Sequence, residues 1–289
     1  MAEFQIYDFR CIDQPLTAKE KAKVENLSSH IDVNSRRAVV SYSYGSFKHD
    51  EEKVLEEFFD ALLYQTSYGQ KKLMFRFPKD SVNYNELFAY CIDGGEYTGY
   101  TTEIRAWKSD NYVLLLVEYC DEESDGWIEE GNDSLDDLLA LRTEIINGDF
   151  SCLYAFWLKI LSLREEDEDY DEDDYDEDEI EELPNLPLGF AKPSMALKSF
   201  IEYFDIDEKL VKAAASFAKP STKSEPNYDA LLSQLNDKEK IDWLARLLKG
   251  EALLDVKLKK QLAQTETEEE GVAVTFEQIM NKALGVKKK

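Results

Sequence analysis

Carboxylates are the most concentrated chemistry in this chain. Between Glu165 and Glu182, fifteen of eighteen residues are Asp or Glu, broken only by Tyr170, Tyr175 and Ile180. Such a run could gather divalent cations, but it lacks the central glycine and spaced ligands of a calcium loop. It could also imitate a nucleic-acid backbone, with tyrosines interleaved among charges at near-phosphate density. Its plainest role is a tether. A stretch this repulsive and this poor in apolar side chains cannot bury enough surface to offset the entropy of ordering it.

Other reactive groups are sparse. The sequence contains no GxGxxG, Walker A, GxSxG or HExxH motif. Its two histidines, His30 and His49, sit in polar surroundings near expected helix ends. That leaves little room for a histidine general base or a multi-histidine metal site. The acids Glu56, Glu57 and Asp60 read as a solvated helix face. Cys11, Cys91, Cys120 and Cys152 lie far apart, with no CxxC, each among apolar neighbours. They read as reduced, buried thiols of a cytoplasmic protein. No catalytic residue, cofactor or metal is expected.

Aromatic residues offer a different chemistry, that of partner contact. Tyr42, Tyr44, Phe47, Tyr64 and Tyr68 cluster in sequence. Some of them must be core, and the remainder would form an exposed aromatic patch. The expected contact residues are Tyr44, Phe47, Tyr64 and Tyr68, together with Tyr170 and Tyr175 of the acidic run.

Composition sets the frame for these sites. Of 289 residues, 43 % are hydrophobic and 12 % aromatic, as in globular proteins, yet the net charge is −27. The chain stays acidic even with the carboxylate run set aside. This argues against direct binding to nucleic acid, which rests on cations neutralising phosphates, and against anionic lipid surfaces. No apolar run, Val113 to Val117 included, approaches the length of a membrane span. The N-terminus lacks a basic region followed by an apolar one, so no signal peptide is expected.

The elements that must position these groups follow from periodicity and caps. Phe4 to Ile12 reads as a strand. Thr17 with Glu20 forms a capping box that opens a helix to about Ser28. Ala38 to Tyr44 reads as a second strand. Asp50 caps the strongest helix of the first half. There Val54, Leu55, Phe58, Phe59, Leu62 and Leu63 fall on one face, and Gly69 ends it. Strand Lys72 to Phe77, a short helix Tyr84 to Cys91, and a hairpin of Thr102 to Lys108 with Tyr112 to Cys120 come next. Val113 to Val117 is apolar on both faces, as a central strand is, so Leu115 should be buried with Phe58 covering it. Ser134 with Asp137 is a second capping box, before helices Leu135 to Ile146 and Phe150 to Leu163. Beyond the acidic run everything reads as helical. Asn236 with Glu239 and Thr275 with Gln278 are further boxes. Leu197, Phe200, Ile201 and Phe204 share a face, and Ile241, Leu244, Leu247 and Leu248 are expected to point inward.

The fold class is therefore α+β. Residues 1–164 are expected to form a mixed sheet with packed helices, 165–187 an acidic disordered linker, and 188–289 an all-α domain.

Several segments together resemble an uncharacterised family of bacterial proteins. They are YDFRCIDQPLT, YGSFKHDEEKVLEEFFDALLYQTSYGQKKLMFRFP, LKSFIEYFDIDEKLVKAAA, DKEKIDWLARLLKGE and TFEQIMNKA. The resemblance spans most of the chain, with a longer acidic run here. It implies a bacterial, cytoplasmic protein in two parts and carries no activity.

The resulting expectation is a non-enzymatic interaction protein. It would be an accessory or regulatory subunit of a bacterial complex, in stress response or phage defence, with another protein as its partner. The rival is an acidic mimic of nucleic acid that fills a basic groove. A third reading is an enzyme of unknown type.

Overall fold

A computed structural model describes residues 4–97, 100–121, 135–166, 183–219, 227–262 and 271–285. Its first half alternates short elements: β1 (Gln5–Arg10), α1 (Ala18–Glu25), β2 (Ile31–Val33), β3 (Arg37–Tyr42), α2 (Glu51–Phe58), β4 (Ala61–Thr66) and β5 (Lys71–Pro78). Then come α3 (Tyr84–Phe88), β6 (Ile92–Tyr97), β7 (Tyr100–Lys108), β8 (Tyr112–Asp121), α4 (Leu139–Ile146) and α5 (Ser151–Glu166). The remainder is helical: α6 (Met195–Tyr203), α7 (Glu208–Ala215), α8 (Tyr228–Ser233), α9 (Asp237–Leu248), α10 (Leu254–Leu262) and α11 (Phe276–Ala283).

The chain is α+β, and its eight strands form one sheet in the order β2-β3-β1-β4-β5-β8-β7-β6. The expected mixed sheet is corrected: every strand pairing among the described residues is antiparallel. The links from β4 to β5 and from β7 to β8 are tight turns, and such turns return the chain antiparallel. Two short edge strands, β2 and β6, had no signal in the sequence.

Alternation along β8 shows how the sheet is buried. Val113, Leu115 and Val117 enter one apolar cluster and Leu114 and Leu116 the other. Both faces are covered, which explains the unbroken apolar run. On one side lie α1 and α2, with Val24, Val54, Leu55 and Phe58 against Tyr7, Phe9, Leu62 and Met74. On the other lie α4, α5, α6, α7 and α11. Leu115 is buried as expected, but Phe58 covers the opposite face from it.

The long helix expected after Asp50 is also corrected. Asp50 does cap α2, accepting from the backbone N–H groups of Glu52 and Lys53. The helix ends at Phe58, Phe59 is extended, and Ala61–Thr66 crosses the middle of the sheet between β1 and β5. The stop is Asp60. Its carboxylate accepts from the backbone N–H of Ile12 at 2.7 Å and of Asp13 at 2.9 Å, and its own N–H donates to the Arg10 carbonyl. An apolar run fits a helical face and a doubly covered strand alike.

α5 is apolar all round because it lies between layers. Its Phe156 packs edge-on against Phe204 and Phe200, with ring centroids 5.1 Å and 6.4 Å away. Tyr154 meets Phe190 at 5.1 Å. On its other side, the Trp157 indole N–H donates to the Tyr90 carbonyl at 3.0 Å. One hydrophobic cluster consequently runs from Ala61 on the sheet to Ile279 on α11. The described part of 188–289 is helical, but α6, α7 and α11 share the sheet's core rather than building their own. The acidic segment 167–182, with Tyr170 and Tyr175, lies outside the described residues. Within the stretch expected to be linker, Leu186 is fully buried and forms an antiparallel bridge with Val272. The capping boxes at Thr17, Asn236 and Thr275 are all present. Ser134 lies outside the described residues, Asp137 sits in a short 3-10 turn, and α4 starts without a side-chain cap.

Candidate functional site

The aromatic residues expected at a partner surface divide between core and surface. Phe47 is buried against Tyr7 and Phe9, with centroids 5.2 Å and 6.4 Å apart. Tyr64 is buried on β4, 4.4 Å from the Tyr7 ring. Phe47 and Tyr64 are therefore corrected as contact residues, because burial beneath α2 takes both off the surface. Tyr44 is 78 % exposed. Tyr68 is partly exposed in the β4–β5 turn, its hydroxyl 3.2 Å from that of Tyr64.

Tyr68 lines a cleft of about 440 Å³ with Gln70, Thr101, Glu118 and Cys120. Strand register builds it. Gly69, at φ 84°, makes the tight turn that sets Tyr68 and Gln70 side by side. Thr101 pairs with Cys120 across β7 and β8, and Lys72 pairs with Glu118 across β5 and β8. Glu118 accepts a hydrogen bond from the Gln70 amide at 2.6 Å. The Lys72 ammonium lies 3.2 Å from Glu51 and 3.6 Å from Glu118. Burial pulls the Lys72 pKa down, but the Glu118 and Glu51 carboxylates more than offset it, and the ammonium titrates above the ordinary lysine range. The field behind the cleft is therefore negative.

A second polar cluster sits at the far end of the central strands and is closed. Arg142 of α4 is 1 % exposed. Its guanidinium grips Asp13 through both terminal nitrogens, at 2.9 Å and 2.7 Å, and its Nε donates to the Arg76 carbonyl at 2.8 Å. Arg76 in turn donates to Asp60 at 2.8 Å. Next to it, Asp8 pairs with Arg10 and Arg37, and Arg10 reaches Asp136. Burial pushes the Asp8 carboxyl up, against the pull of both arginines. Apart from the buried Arg76 Nε, which makes no hydrogen bond, these groups direct their hydrogen bonds to backbone and to one another, which makes the network a structural clamp. Asp60 was expected on a solvated helix face and is instead one of its buried members, while Glu57 does sit at the surface, paired with Lys23 at 2.7 Å.

Burial raises the thiol of Cys91 to about 11 and that of Cys11 to about 12, and pushes Cys152 up further still, so none of the three is a ready thiolate. His49 lies tilted against Phe47, with ring centroids 5.4 Å apart, and His30 against Tyr42 at 5.2 Å. Among the described residues no group of three His, Cys, Asp or Glu is arranged to hold a metal ion. No described helix is long and apolar enough to cross a membrane.

The largest departure is on α9. Ile241, Leu244, Leu247 and Leu248, expected inward, are 66 %, 59 %, 60 % and 89 % exposed. Trp243 is the buried residue instead, joined with Leu235 and Leu254 and covered by the Arg246 guanidinium 4.0 Å from its ring. The helix is apolar on two sides, and the larger indole wins the interior. Tyr228 and Leu232 of α8 are exposed as well.

No family model matches the chain, and no curated protein or solved structure matches it either.

Proposed function

We propose that the chain is a non-enzymatic protein-binding subunit whose α9 helix seats in an apolar groove of a protein partner. The observation that carries this reading is the exposure of Ile241, Leu244 and Leu248, with Leu247 beside them. Their i, i+3, i+7 spacing is that of anchors in helix-in-groove recognition. Single exposed leucines need no explanation, whereas a contiguous apolar patch marks a contact site. Covering each side chain would contribute about 1.5–3 kcal/mol before the costs of association. A second copy is a poor occupant, because two bodies of net charge −27 repel one another. The role suits an accessory subunit of a larger assembly, the setting read from the sequence.

The test is a double variant, Leu244→Asp with Leu248→Asp. Both positions are exposed, so melting should be unchanged within about 0.5 kcal/mol, the usual range for surface changes. A partner cross-linked through Lys240 or Lys249 in the parent chain should bind the variant at least 100-fold more weakly. Sedimentation of the parent chain should show a monomer. Unchanged partner affinity would sink the proposal, and self-association abolished by the variant would assign the face to a second copy.

The nucleic-acid mimic remains the competitor, carried by the fifteen acids of 165–182. Replacing that run with a Gly/Ser linker of equal length separates the two. If α9 is the anchor, affinity at physiological salt should change by less than about 1 kcal/mol, since exposed charges are screened over about 8 Å. If the acids are the ligand, affinity should collapse, and added salt should reproduce the collapse in the unaltered chain.

A further inference from the structure

We infer that the cleft between the β4–β5 turn and the paired ends of β7 and β8 is a binding site for a small organic cation, an alkylammonium or guanidinium compound. The cleft is separate from α9, which lies elsewhere on the chain.

Three observations converge. The first is space. A cavity of about 440 Å³ lies within the range of small-molecule sites. The second is charge. Lys72 faces two carboxylates, Glu51 and Glu118, so this trio is one positive charge short of balance. Arg105, on the neighbouring strand β7, is committed to Glu52 and Glu103. The raised Lys72 pKa reports the same excess of negative field. The third is hydrogen-bonding capacity. Both polar contacts to Glu118 fall on Oε1, from Gln70 and from Lys72. Among the described residues its Oε2 accepts nothing, and Glu118 lines the cleft. The Thr101 hydroxyl and the Tyr68 ring complete the wall. A carboxylate for a charge-assisted hydrogen bond beside an aromatic face is the chemistry that selects organic cations.

Lys72 itself would repel such a guest at close range. It is tied to Glu51 of α2 and does not line the cleft, which leaves Glu118 Oε2 to the ligand. The site also disfavours anions, because a phosphate or carboxylate would meet Glu118 directly.

Cys120 supplies the reporter, since it lines the same cleft. Its alkylation by iodoacetamide can be followed peptide by peptide, with half-buried Cys91 as the internal reference. This readout ignores cations condensed on the acidic run. Agmatine is the probe, and butyramide its neutral control. Agmatine should slow Cys120 alkylation saturably, at least fivefold, while Cys91 is unaffected. Glu118→Gln and, separately, Tyr68→Ala should each weaken that protection at least tenfold. Butyramide should not protect. If Glu118→Gln does not fold, Tyr68→Ala at the partly exposed turn decides the outcome. The proposal is overturned if agmatine gives no protection up to millimolar concentration. Equal protection in both variants, or equal protection by butyramide, overturns it as well.

Discussion

Arg142→Ala should lower the free energy of unfolding by about 3–5 kcal/mol, the range for removing one partner of a buried ion pair. The magnitude comes from what is left behind. Asp13 loses both of its guanidinium contacts, and the Arg76 carbonyl loses its donor. Asp60, 3.9 Å from Arg142, keeps Arg76 but sits in a less positive field. A lysine should not rescue the site, because one ammonium cannot reproduce a two-pronged grip on Asp13 together with a third bond to a carbonyl. Arg142→Lys should therefore recover less than half of the loss. Urea unfolding followed by circular dichroism would measure both variants. A loss below about 1 kcal/mol for alanine would mean that the network is as dispensable as a surface pair. The size of the loss would not show that the clamp is a net source of stability, since well-packed apolar replacements of buried ion pairs are often neutral or better.

The second large effect is expected at Phe200. Phe200→Ala should cost about 3–5 kcal/mol, as for other fully buried aromatic side chains cut back to a methyl group. Phe200 is wholly buried, with its ring 4.7 Å from Phe204 and 6.4 Å from Phe156. More informative than the size is the form of the transition. Since α6 shares the cluster that reaches the sheet, the variant should still unfold in one step, with sheet and helix signals moving together. Two separated transitions, with the sheet signal unmoved, would show that 188–289 melts by itself and that the shared cluster does not couple the two segments.

What could be read from the sequence was what is local. Thr17 with Glu20, Asn236 with Glu239 and Thr275 with Gln278 close their boxes within four residues, and each pair is found in place. The central position of Val113 to Val117 was legible because burial on both faces removes polar alternation. What escaped depends on partners distant in the chain. Asp13 and Arg142 are 129 residues apart, and neither pattern nor spacing joins them. The cleft draws on a turn and two strand ends that only register brings together. The stretch Ala61 to Thr66 fits two periodicities, and the choice was made by the strands on either side of it. On α9, a single tryptophan outweighed four aliphatic residues, which no moment of the sequence could decide. Of the aromatic residues expected at a surface, Phe47 and Tyr64 were lost to the core because nothing in the sequence says which side of β4 α2 will cover.

The placement of α5 between two layers bears on how the protein is made. Synthesis runs from the N-terminus, and the sheet and α5 are complete once Glu166 has been added. The outer face of α5, with Phe156 and Tyr154, is not fully covered until Phe190, α6, α7 and finally Ile279 of α11 have followed. For more than a hundred residues of elongation, the nascent chain carries a finished sheet beneath a helix that is apolar on its open side. Such surfaces drive misassembly on crowded ribosomes. The next segment to leave the ribosome, 167–182, carries thirteen carboxylates. Charge flanking an unavoidable apolar segment acts as a gatekeeper against aggregation. In this chain order, the acidic run is in position to keep the half-made molecule soluble until its remaining helices arrive.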